Sequence, residues 1–63
     1  MYMTYRVRFE GSEGRVLSDQ FESLVAARAY AEQNRKKIPA AVMVIAELDE
    51  SGRETNNRET VKL

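Results

Sequence analysis

Ala41-Val42-Met43-Val44-Ile45-Ala46-Glu47-Leu48 is the stretch on which the fold turns. It is β-branched and apolar on both alternating faces, with Val42, Val44, Ala46 and Leu48 on one side and Ala41, Met43 and Ile45 on the other. A strand with that pattern is covered on both sides and belongs in the middle of a sheet.

Upstream, Met3-Thr4-Tyr5-Arg6-Val7-Arg8-Phe9 alternates cleanly, which places Met3, Tyr5, Val7 and Phe9 on a buried face and Thr4, Arg6 and Arg8 on the other. Gly11-Ser12-Glu13-Gly14 then supplies glycines for a hairpin turn, and Arg15-Val16-Leu17-Ser18 returns as a second strand. Ser23 is a helix N-cap, with Phe21 placed to cover the first turn, and the alanine-rich run from Leu24 to Arg35 carries Leu24, Ala27, Tyr30 and Ala31 at helical spacing. Pro39 pushes Ile38 out of helical geometry, so the helix ends between Asn34 and Lys37, where Arg35, Lys36 and Lys37 oppose the negative end of its dipole.

Downstream, Asp49-Glu50-Ser51-Gly52 is a turn and Arg53-Glu54-Thr55-Asn56 returns as a fourth strand. Residues 57–63 read either as a continuation of that edge strand or as a loose tail. The order strand, strand, helix, strand, strand, with a helical crossover spanning one strand, predicts an α+β domain. Its four-stranded antiparallel sheet runs 2-1-3-4 and one helix packs on one face. Residues 1–63 form a single domain on this reading, since 63 residues hold no second core.

Composition narrows the function. Ten Lys and Arg balance ten Asp and Glu, which is unlike the strongly basic balance of a general nucleic-acid binder. There is no cysteine and no histidine, so disulfides and thiolate or imidazole metal sites are excluded, along with the usual nucleophiles and bases of neutral-pH catalysis. Ser18, Asp19 and Tyr30 have no catalytic partner at a recognisable spacing, and the adjacent carboxylates of Asp49 and Glu50 lack the spacing of a cation loop. The expectation is a protein without enzymatic activity, cofactor or metal. No apolar run approaches the roughly 18–20 residues of a membrane span, and no secretory signal pattern is seen, which points to a cytoplasmic, soluble protein.

Binding residues are sought among the charges. Arg6 and Arg8 project from one strand face and Arg15 joins them from its neighbour, a basic patch suited to phosphates or to a carboxylate-rich partner. The segment from Glu47 onward carries five acidic and three basic residues, a charge of minus two against plus two for the first 46. Asp49 and Glu50 at its turn would face a basic groove. Tyr5, Phe9 and Tyr30 belong to the core, leaving Tyr2 as the aromatic expected outside it. A ribbon-helix-helix repressor needs two helices after its strand, and this chain offers one.

One helix covers one face of such a sheet, yet strand three is apolar on both. The expectation is that Met43 and Ile45 lie on the open face and are covered by a second copy of the chain, which also suits the limited core of so small a domain. The runner-up to a protein-binding role is a small dimeric nucleic-acid-binding regulator that contacts phosphates through Arg6, Arg8 and Arg15.

The run Phe21-Glu22-Ser23-Leu24-Val25-Ala26-Ala27-Arg28-Ala29-Tyr30-Ala31, followed by Val42-Met43-Val44-Ile45 and the Asp49-Glu50-Ser51-Gly52 turn, resembles small phage-encoded β-β-α-β-β proteins. Some of these are anti-CRISPR inhibitors. The resemblance implies a non-enzymatic inhibitor that binds a host protein or ribonucleoprotein complex in the host cytoplasm, and it assigns no binding residue.

Overall fold

The computed structural model describes residues 3–63, so Tyr2 lies outside the described residues. The elements follow the expected order: β1 (Thr4–Gly11), β2 (Gly14–Leu17), α1 (Leu24–Asn34), β3 (Val42–Leu48) and β4 (Glu54–Lys62). They form one antiparallel sheet in the order β2-β1-β3-β4, with the single helix on one face.

Local chemistry accounts for the boundaries. Gly14 adopts φ 116° at the β1–β2 turn, a conformation costly for any side chain with a Cβ. Beyond β2, the Ser18 Oγ accepts from the Val7 N–H at 2.9 Å and the Ser18 N–H donates to the Val7 carbonyl at 2.9 Å. The chain continues beside β1 to Phe21, whose backbone exchanges hydrogen bonds of 2.8 and 2.7 Å with Tyr5. Ser23 then caps α1, its hydroxyl accepting from the Ala26 N–H at 3.1 Å. The helix ends at Asn34 with Arg35 as its C-cap, so Lys36 and Lys37 follow its last turn.

The core lies between α1 and the sheet. Val7 and Phe9 from β1, Met43 and Ile45 from β3, and Ala27 and Ala31 from α1 are buried together, ringed by Tyr5, Phe21, Leu24, Tyr30 and Val61. Alanine at the contact positions lets the helix sit close to the strands. Phe21 and Tyr30 meet with ring centroids 5.4 Å apart, closing one end.

Met43 and Ile45 are therefore not on the open face. They are 2% and 5% exposed beneath the helix. The pairing register explains the correction: Val7 faces Ile45 and Phe9 faces Met43, so the side of β3 matching the buried side of β1 is the Met43–Ile45 side. Val42, Val44, Ala46 and Leu48 take the open face instead, paired with Glu10, Arg8, Arg6 and Thr4.

Residues 57–62 continue the edge strand, and the Leu63 N–H donates to the Ala41 carbonyl at 2.9 Å. β4 also carries a bulge. Ala46 pairs with Arg58 and Leu48 with Glu54, so Thr55, Asn56 and Asn57 lie opposite the single residue Glu47. The Glu47 carboxylate holds this excursion, accepting from the Thr55 hydroxyl at 3.2 Å and the Asn57 amide at 3.4 Å.

Candidate binding surface

Strand register assembles the face of the sheet away from the helix. β1 contributes Thr4, Arg6, Arg8 and Glu10; β2 contributes Arg15 and Leu17; β4 contributes Glu54, Arg58, Thr60 and Lys62. These surround the apolar side of β3. Val44 stands between Arg8 and Thr60, and Ala46 between Arg6 and Arg58. Val44, Ala46 and Leu48 are buried within the isolated chain, and Leu48 lies between Thr4 and Glu54. The two-sided apolar pattern of β3 is thus satisfied by the chain's own neighbours.

Arg6, Arg8 and Arg15 share this face, as the alternation indicates, but their states differ. The Arg8 Nε donates to Glu54 Oε2 at 2.6 Å, its Nη2 to Glu54 Oε1 at 3.1 Å and its Nη1 to Glu10 Oε2 at 2.5 Å. Glu54 also accepts from the Arg58 Nη1 at 3.1 Å. With side-chain exposures of 17% for Arg8 and 21% for Glu54, this is a half-sunk network in which each charge stabilises the other. The hydrogen bond from Arg8 holds the Glu54 carboxyl below the usual carboxylate range, and Glu54 raises the Arg8 guanidinium in return. Arg8 is a structural cation.

Arg6 is the opposite case. Its Nε is buried and has no hydrogen-bond partner among the described residues, and no ion pair there involves its guanidinium. Arg15 lies opposite Glu10 in the register, beyond the Arg8–Glu10 pair. Among the described residues the open face holds Arg6, Arg8, Arg15, Arg58 and Lys62 against Glu10 and Glu54, five cations less two anions, a charge of plus three.

Asp49 and Glu50 sit at the β3–β4 turn, beside the Thr4 end of β1, whereas Arg15 sits at the Glu10 end, so the fold separates these groups along the sheet. Asp49 Oδ1 accepts from the Ser51 N–H at 2.9 Å, the Ser51 hydroxyl at 2.7 Å and the Arg53 N–H at 3.0 Å. Those bonds, that of the Ser51 side chain first, hold its carboxyl below its ordinary range. The residue organises the turn, and Gly52 completes it at φ 84°. Glu50 remains exposed beside it.

Glu54, Arg58 and Lys62 join the surface through long-range pairing. Glu54 is 46 residues from Arg8 in the chain, and only the continuation of β4 reveals the match. Among the described residues no three potential metal ligands come together, and no helix is long and apolar enough to cross a membrane. Comparison with known protein families, with characterised proteins and with solved structures finds no match.

Proposed function

We propose that this chain is a small non-enzymatic binding protein whose working surface is the open face of its sheet, and that it occupies a host protein or ribonucleoprotein complex in the manner of phage anti-defence inhibitors. The observation that carries the binding role is Arg6, a guanidinium with a buried Nε and no acceptor within the described chain, set in a face of net positive charge. A lone arginine pressed against apolar surface is a common centre of protein interfaces, because its planar fork forms strong bonds once an acceptor arrives. The lack of histidine and cysteine and the 63-residue β-β-α-β-β architecture support a role in occupying a partner.

The test is affinity capture of the tagged chain from bacterial lysate carrying CRISPR effector complexes, with and without nuclease. Wild type is compared with Arg6→Gln and with Val25→Ser, the latter on the exposed outer side of α1. A nuclease-resistant effector complex in near-stoichiometric yield, lost with Arg6→Gln and kept with Val25→Ser, is the expected result. Equal capture by Arg6→Gln would remove the open face from the reading, and an empty eluate would remove the anti-defence role. Capture that vanishes with nuclease would favour the nucleic-acid regulator, whose support is the shared face of Arg6, Arg8 and Arg15.

A further inference from the structure

We infer that the open sheet face docks an acidic protein segment, with the Arg6 guanidinium as the anchor for one of its carboxylates; this rests on the open-face reading above and names the chemistry of the occupant. Three properties of the face select it. The Arg6 Nε is buried without a partner, and its two terminal nitrogens, which no acceptor among the described residues engages, form the edge that a carboxylate meets with two parallel hydrogen bonds. Arg15 and Lys62 form no ion pair among the described residues, and Leu17, 48% exposed on the same face, adds an apolar contact on the strand that carries Arg15. The surplus of three positive charges matches a partner that carries several carboxylates.

The same inventory disfavours other occupants. Glu10 and Glu54 lie on the face itself, so a continuous phosphate backbone laid across it meets anions as well as cations. Among the described residues the face carries no aromatic side chain on which a base could stack. A second copy docked face to face about a two-fold axis would set one surplus of positive charge against another. An acidic protein segment needs no stacking platform and complements the surplus charge, and because its carboxylates are discrete they can meet Arg6, Arg15 and Lys62 away from Glu10 and Glu54, which Arg8 already engages.

The experiment is an NMR titration of the full ¹⁵N-labelled chain at low salt, following backbone amides and the arginine Nε–Hε resonances. Three probes are used: a synthetic Glu- and Asp-rich peptide, its Gln and Asn counterpart, and a single-stranded oligonucleotide. The expected outcome is a saturable shift of the Arg6 Nε–Hε signal and of β1 and β3 amides with the acidic peptide and not with its amide counterpart. That binding should weaken roughly tenfold in Arg6→Gln, the effect of losing one charge-assisted contact, and fade as salt rises. Circular dichroism of Arg6→Gln verifies that the variant is folded.

Tighter binding of the oligonucleotide than of the acidic peptide on this face would overturn the carboxylate chemistry while leaving the open face as the working surface. Shifts confined to Arg35, Lys36 and Lys37 would overturn both readings. Open-face shifts that grow with protein concentration in the absence of any probe would replace the acidic segment with a second copy. Absence of a saturable shift with the acidic peptide would also overturn the inference.

Discussion

Arg6 and Arg8 are two residues apart on one strand face, identical in type, and the structure assigns them opposite energetic roles. Replacing Arg8 by Gln removes hydrogen bonds of 2.6 and 3.1 Å to Glu54 and of 2.5 Å to Glu10, and leaves Glu54 with Arg58 alone. A hydrogen bond to a charged group contributes roughly 1.5–3 kcal/mol when sheltered, and an exposed ion pair about 0–1 kcal/mol. With Arg8 at 17% and Glu54 at 21% exposure, the network lies between these limits, and its loss should cost about 2 kcal/mol. A core of this size supplies only about 3–5 kcal/mol, so Arg8→Gln should forfeit near half of the stability. In thermal unfolding the loss corresponds to a fall in Tm of roughly 8–16 °C. Arg6→Gln removes no hydrogen bond and relieves an unsatisfied buried Nε, so its change should stay within about 0.5 kcal/mol. The assay is thermal and urea unfolding of both variants at pH 7, followed by far-UV circular dichroism. Equal losses, or a larger loss for Arg6→Gln, would refute the division of roles and with it the case for Arg6 as the free anchor.

Two further outcomes follow from the same geometry. Glu54 and Asp49 have folded pKa values depressed by their hydrogen bonds, so they stabilise the fold fully above their unfolded values of about 4.3 and 3.9 and cease to do so as pH falls through the folded values. Tm should be flat from pH 7 to 5 and drop below pH 4, and Glu54→Gln should flatten part of that acid limb; an unchanged acid limb would exclude Glu54 as its source. The register of β3 is tested by paired substitutions: Ile45→Asp places a charge under the helix between Val7 and Glu59 and should abolish native circular dichroism, whereas Val44→Asp lies beside Arg8 and should leave a folded, weakened domain. The reverse ranking would mean that the faces of β3 are exchanged.

The alternation of Tyr5, Val7 and Phe9, the glycine turn before Arg15, the Ser23 cap and the Pro39 stop are local signals, and together they determined the element order and, through the crossover rule, the 2-1-3-4 sheet. They also placed Arg6, Arg8 and Arg15 on one face. Three things were decided only by the tertiary structure. A strand apolar on both sides has no parity of its own, so which of Met43–Ile45 and Val44–Ala46 lies beneath the helix was set by its register with β1, through the pairs Val7–Ile45 and Phe9–Met43. A polar edge strand carries no apolar alternation, so the extent of β4 to Lys62 emerged from hydrogen bonds to β3. And a charge in the sequence has no known partner: Arg8 was neutralised by Glu54, 46 residues away, while Arg6 has no acceptor among the described residues, a distinction that arises only when distant strands are laid side by side.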